Sequence, residues 1–326
     1  MRLRFWVRLL ALLLLLTLLA ACTSVSNREA AEAYYNLGRA YFDLGRLDDS
    51  QRAYRRAVEL DPELSVANYN LARLYIEEGS YDEAEEILNE LLDDDPDNTI
   101  LHETLGWLAY RRGDPTAALE SYRTSLELGV GNAVVWYNIG LIHRDQERGA
   151  DALEAFSQAV YYAPESLLYR RSLAGEYARA GELQEALDQL YPLYAAGRRE
   201  TELINDLCGY LIDFEEYAAA YEVVEEVLAA SSDDLAQEDE RRERGRLYFY
   251  GAFSLLIGFE RADEGLEYLE TALEFGFIEQ DELAKLLEYP SVPGAEEIER
   301  VLRDRGIEQA SVPPPVGSGR DNDGER

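Results

Sequence analysis

A chain of 326 residues that sets 65 acidic side chains against 31 basic ones carries a formal charge of −34, a surface that repels nucleic acid and anionic lipid head groups. Basic or cationic partners are compatible with it. Two histidines and two cysteines supply no His-rich or Cys-paired metal spacing, so neither a metal centre nor a cofactor is expected.

At the amino end, Arg2, Arg4 and Arg8 precede thirteen uncharged residues, 9–21, mostly leucine. A basic segment followed by an apolar run shorter than the ~20 residues of a membrane-spanning helix reads as a signal peptide over residues 1–21. Its end, Leu19-Ala20-Ala21-Cys22, resembles the lipobox of bacterial lipoproteins. The resemblance implies cleavage before Cys22 and lipidation of its sulfur, giving a protein anchored to a membrane of the cell envelope, with residues 22–30 as a tether. Thr23 stands where an aspartate would resemble an inner-membrane retention signal, which directs the expectation to the periplasmic face of the outer membrane. Loss of the leader takes the formal charge from −34 to −37, and an acylated Cys22 leaves Cys208 no disulfide partner in the chain.

From Ala31 onward the sequence repeats itself every 34 residues, with blocks beginning at 31, 65, 99, 133, 167 and 201. Position 7 holds Leu37, Leu71, Leu105, Ile139, Leu173 and Leu207. Position 8 is always small: Gly38, Ala72, Gly106, Gly140, Ala174 and Cys208. Position 20 is small again, with Ser50, Ala84, Ala118, Ala152, Ala186 and Ala220. Position 24 is large or branched, with Tyr54, Leu88, Tyr122, Phe156, Leu190 and Val224. Apolar residues recur at helical spacing, Gly45 marks a helix stop, and Asp61-Pro62 and Asp95-Pro96 are expected to open the first turn of the next helix. No stretch alternates with the period of a half-buried strand, so the chain is expected to be all-α.

This register resembles the tetratricopeptide repeat (TPR), and it does so without a break over residues 31–234, six copies. The resemblance implies helix-turn-helix units stacked into a right-handed superhelical solenoid. Residues 235–246 read as a charged insertion, solvated or extending a helix. Residues 247–308 read as a degenerate seventh repeat with a longer turn, followed by capping helices over "DELAKLLEY" and "AEEIERVLRDRG". The Pro-rich tail, 309–326, is expected to be disordered.

No catalytic residue is assigned. His102 and His143 fall at packing positions, Cys208 at a small-residue position, and the chain has no P-loop, dinucleotide fingerprint or nucleophile elbow. An enzyme is not expected.

In the family, positions 2, 5, 9, 12 and 13 of the first helix face the concave groove. The resemblance therefore assigns to a partner-binding groove Tyr35, Arg39, Tyr69, Asn70, Arg73, Trp107, Tyr110, Arg111, Tyr137, Asn138 and Arg144, with Phe42, Ile76, Arg171 and Arg179 beside them. Arginine and aromatic side chains dominate binding hot spots because they join apolar contact to directed donors. The alternative is that some of them pair with neighbouring acids or cover helix seams. Arg55 and Arg56 are placed on the outer face. The two-carboxylate clamp of chaperone-binding family members is absent, since Tyr35, Arg39, Ile100 and Thr104 occupy its positions. The expected function is a lipid-anchored scaffold that binds a protein or peptide segment. It is similar to the TPR lipoproteins of type IV pilus assembly and to those that organise peptidoglycan hydrolases. An accessory ligand-presenting subunit of an envelope transport system is the alternative, and it would need a closed polar pocket.

Overall fold

The computed structural model describes residues 27–129, 131–230, 238–289, 292–305 and 307. Cys22, the rest of the leader and tether up to residue 26, and the tail from 309 lie outside the described residues, as do Val130 and Ser232. Regular structure among the described residues is helical throughout, and none of these helices is long and apolar enough to cross a membrane.

The chain divides into two compact units, one ending at Tyr162 and the other beginning at Ala163. The first unit holds α1 (27–43), α2 (Leu47–Leu60), α3 (Ser65–Glu78), α4 (Tyr81–Asp94), α5 (Thr99–Arg112), α6 (Pro115–Leu128), α7 (Ala133–Asp145) and α8 (Gly149–Tyr162). The second holds α9 (Leu167–Arg179), α10 (Leu183–Ala195), α11 (Thr201–Asp213), α12 (Tyr217–Ala230), α13 (Glu238–Phe253), α14 (Ala262–Glu274), α15 (Gln280–Glu288) and α16 (Ala295–Asp304). Through α14 each odd-numbered helix, the A helix of a repeat, packs on the even-numbered B helix that follows it.

Volume complementarity holds each pair together. All residues at positions 8, 20 and 24 are buried. Where position 8 is glycine, position 24 is aromatic: a Cβ on Gly38 would lie 2.6 Å from the Tyr54 ring, one on Gly106 2.6 Å from Tyr122, and one on Gly140 2.5 Å from Phe156. Where position 8 is Ala72, Ala174 or Cys208, position 24 is the smaller Leu88, Leu190 or Val224. The ring therefore takes the space a methyl group occupies elsewhere, and close packing leaves no slack for both. Ser50, the one polar residue at position 20, donates its hydroxyl to the Gly38 carbonyl at 2.8 Å.

Every A helix of the six in-phase repeats is followed by a left-handed residue at position 15. Gly45, Gly79, Gly113 and Gly181 take φ of 68°, 82°, 89° and 79°, but Glu147 and Glu215 take 57° and 62° at the same place. Side-chain caps start two of the helices: Asn98 accepts from the amides of Ile100 and Leu101 at α5, and Asp114 from those of Thr116 and Ala117 at α6.

Two expectations are corrected, and one pair of alternatives is decided. Pro62 and Pro96 sit in the inter-repeat turns, ahead of α3 and α5, and it is Pro115 that occupies the first helical turn, of α6. Of the two forms expected for the charge-dense segment, a solvated stretch or a helix extension, the described part takes the helical one: α13 runs through it from Glu238, with Arg244 buried. The extra residues of the seventh repeat do not lengthen its turn. A π-helical extension, Ser254–Gly258, absorbs them at the end of α13 and leaves a short connection to α14. Beyond α14, Leu283 and Leu286 of α15 and Ile298 and Leu302 of α16 are buried in the core of the second unit and cap it.

Candidate functional site

The A-helix face is built by side chains that reach from one repeat to the next. The Tyr69 hydroxyl on α3 lies 3.2 Å from Thr104 Oγ1 on α5, and Arg171 Nε on α9 donates to Asp206 Oδ2 on α11 at 2.5 Å. Both bonds join position 5 of one repeat to position 6 of the following one. One turn or two further along, Tyr110 donates to Asp145 Oδ2 at 2.6 Å, and Arg111 Nη1 to Glu77 Oε2 at 3.1 Å. The Asp145 carboxylate, as acceptor of the Tyr110 proton, pushes the Tyr110 hydroxyl up to about 12. Glu103 accepts from Asn132 Nδ2 at 2.7 Å, and burial raises its carboxyl above the usual carboxylate range.

These bonds divide the predicted groove residues into two groups. Tyr69, Tyr110 and Arg111 are engaged in the ladder between repeats. Tyr35 and Tyr137 are half-buried, with ring centroids 5.9 Å from Tyr54 and 5.7 Å from Phe156. Asn70 donates its amide to the Val66 carbonyl of its own helix at 2.7 Å, Asn138 is half-buried, and Arg144 lies 3.8 Å from its neighbour Asp145. Trp107 is half-buried against the core with the Arg111 guanidinium 5.6 Å from its ring, so it also holds neighbouring repeats together. Arg39 and Arg73 are exposed and form no ion pair among the described residues, Arg73 lying 5.9 Å from the Tyr69 ring. Ile76, expected in the groove, is fully buried in the core. Arg55, expected on the outer face, donates to the Tyr75 hydroxyl of α3 at 3.0 Å, whereas Arg56 is exposed and pairs with Glu59 at 2.7 Å. Arg179 pairs with Glu176 in its own helix.

Among the described residues no cluster of His, Cys, Asp and Glu is arranged to hold a metal ion. His102 Nε2 is 2.9 Å from the Pro96 carbonyl. His143 is half-buried beside a cavity of about 350 Å³ shared with Trp136 and Arg148, and burial followed by the Arg148 cation lowers its pKa. Burial pushes the Cys208 thiol up to about 12. A larger cavity of about 570 Å³ lies in the second unit between α9, α11 and α13. Several of its charges are turned on one another or on a neighbour: Arg171 binds Asp206, Arg246 binds Glu243 and the adjacent Glu279, and Asn205 binds Glu243, while Glu202 and Glu240 also line it.

The register seen in the structure has a direct sequence counterpart. The sequence pattern of the family "Tetratricopeptide repeat" matches residues 11–65, 35–99, 69–133, 103–166 and 137–199, more than half of the chain. The chain is a tetratricopeptide repeat protein. No protein in the curated comparison matches the sequence. Several solved structures share the helical array. The protein pilF of Pseudomonas aeruginosa is 20% identical with a TM-score of 0.52, the match covering 67% of this chain and 99% of that one. PilW, a widely conserved type IV pilus biogenesis factor, is 18% identical with a TM-score of 0.51, over 62% of this chain and 95% of its own. A tetratricopeptide repeat protein from Parabacteroides merdae is 16% identical with a TM-score of 0.47, over 85% of this chain and 99% of its own. At these identities the likeness is one of fold.

The alternative that some groove residues pair with neighbouring acids holds for Tyr110 with Asp145 and Arg111 with Glu77, whereas Thr104 and Asp206 were not expected as ladder partners. The signal was available in principle, because a tyrosine or arginine at position 5 stands 35 residues ahead of a polar residue at position 6.

Proposed function

We propose that this repeat protein is a non-catalytic scaffold of the bacterial cell envelope, anchored by an acylated Cys22 at the periplasmic face of the outer membrane. It takes a segment of a partner protein on its A-helix face and so helps to assemble or localise an envelope complex. The observation that carries the binding reading is the pair Arg39 and Arg73, exposed one repeat apart and without an ion pair among the described residues. In a chain with a formal charge of −34, two guanidinium groups left unpaired in a field of carboxylates are donors available to a partner. The lipobox supports the anchor. Pilus or secretion machinery is the class of complex we favour, in keeping with the pilus biogenesis role stated for PilW. The self-paired charges of the larger cavity give a ligand-presenting role no comparable support.

The test is capture of partner protein from detergent-solubilised envelopes. Replacing Arg39 and Arg73 together by Ala should weaken capture by ~2 kcal/mol or more, about 30-fold, because hot-spot residues of this type each cost that much. The control replaces Arg52 and Arg56, exposed on α2 and paired with Asp49 and Glu59 of the same helix, Arg56 also lying beside the Tyr34 hydroxyl. Equal recovery with the first variant and loss with the second would end the A-helix reading.

A further inference from the structure

Among the described residues the first repeat has no preceding repeat to cover it, as every later repeat of its unit has. On α1, Tyr34, Leu37 and Tyr41 recur at helical spacing and Leu44 continues their stripe in the turn that follows, Tyr41 being half-buried with the Arg46 guanidinium 4.6 Å from its ring. Leu37 is 42% exposed, whereas Leu71 and Ile139, at the same register position, are buried. Tyr75, the counterpart of Tyr41, is covered by α2, whose Arg55 donates to its hydroxyl. Tyr34 is exposed, and Leu44 is 71% exposed where Glu78 and Arg112 stand in the next repeats. Terminal repeats ordinarily turn a polar face outward. The other end of the chain follows that rule by means of α15 and α16, but the first repeat keeps Tyr, Leu, Tyr and Leu.

The same repeat carries no net charge. Residues 27–60 contain six arginines (28, 39, 46, 52, 55 and 56) and six acids (29, 32, 43, 48, 49 and 59), so their formal charge is zero. The leader carries three arginines and no acid, which puts the whole −37 of the mature chain beyond residue 60. The stretch with the exposed apolar stripe is therefore one that an anionic surface does not repel, a property it shares with the fifth repeat, residues 167–200, where five arginines meet five acids.

Tether length supplies the occupant. Four residues, 23–26, separate Cys22 from residue 27, where the described part of α1 begins, and five residue steps span about 18 Å at most. We propose that the outward stripe of α1 rests on the lipid bilayer that holds the Cys22 acyl chains, with Leu37 and Leu44 at the head-group boundary. This inference rests on the proposed lipidation of Cys22. The first repeat then acts as a foot, and an apolar face lying in the interface adds to the acyl chains as a second membrane signal.

The experiment uses the lipidated full mature chain in vesicles of phosphatidylethanolamine and phosphatidylglycerol. An environment-sensitive fluorophore is placed through Leu44→Cys or, as control, through Asp82→Cys, whose native side chain is 97% exposed on α4. Cys208 is buried and does not compete for the label. Nitroxide-labelled lipid should quench the Leu44→Cys probe by at least half and leave the Asp82→Cys probe unchanged. Adding Leu37→Glu should reduce that quenching at least threefold, with circular dichroism confirming the fold. Palmitate labelling is followed in parallel. A labelled protein whose Leu44→Cys probe is not quenched overturns the membrane foot and leaves the anchor standing, whereas absence of palmitate removes both. Probe brightening that rises with protein concentration and ignores the nitroxide lipid would show a second copy covering the stripe, and would overturn the proposal.

Discussion

Gly106→Ala puts a methyl group where the Tyr122 ring already lies. The new Cβ would stand 2.6 Å from both Cδ1 and Cε1, against an ordinary carbon contact of about 3.5–4.0 Å, so the buried ring has to retreat by roughly 1 Å. Overpacking of this kind costs ~1–3 kcal/mol, while replacing a mid-helix glycine by alanine returns ~1 kcal/mol of helix propensity. The two nearly offset, and the single variant is a poor test. The coupling between the positions is a good one. With Tyr122→Leu the pair becomes alanine against leucine, as Ala72 stands against Leu88, and there Gly106→Ala should gain the full ~1 kcal/mol. A double-mutant cycle should therefore yield an interaction energy of at least ~1 kcal/mol in favour of the double variant. Urea unfolding followed by the fluorescence of Trp107 and Trp136 reads this repeat and the next. If Gly106→Ala gains the same stability in both backgrounds, the ring and the glycine are not complementary and the packing argument fails.

Glu147 and Glu215 hold the left-handed conformation that glycine takes at the same position elsewhere, so Glu147→Gly and Glu215→Gly should each raise the thermal midpoint, by about 1 kcal/mol of stability; a lower midpoint would show that the glutamate side chains do something else there. Tyr110 is raised to about 12, so its bond to Asp145 contributes stability that is present below its unfolded pKa near 10 and is lost as pH rises toward 12; Tyr110→Phe should flatten this part of the stability profile, and parallel profiles would contradict the bond. Cys208 should react with a thiol reagent at pH 8 only as fast as the second unit opens, and reaction at the rate of a free thiol would place it outside the core.

The repeat register was legible in the sequence because packing imposes it. A residue that must be small where two helices touch cannot vary freely, and positions 8, 20 and 24 are buried wherever they occur. Position 7 was less legible, since its burial depends on the repeat before it: Leu37 has the sequence of a core residue and the exposure of an end. The turn at position 15 was read from its glycines, and the two glutamates hid the same conformation behind a different side chain. On the A-helix face, residue type alone could not separate Arg73 from Arg111. Whether a guanidinium is paired depends on a side chain one repeat away, Glu77 in the case of Arg111. The π turn was invisible for a related reason, because a sequence shows that two residues are extra but not which backbone form absorbs them.

The match between positions 8 and 24 fixes the unit in which such a chain can be recombined. Because the glycine and its ring belong to the same repeat, a crossover that exchanges whole repeats carries both partners and keeps every fit intact. A crossover in the loop between an A helix and its B helix separates them. Joining α3 to α6 would set Ala72 against Tyr122 and crowd the pair, and joining α5 to α4 would set Gly106 against Leu88 and leave a void. Arrays of this kind can therefore lengthen, shorten or trade modules at the turns between repeats, while the turns inside them are closed to exchange.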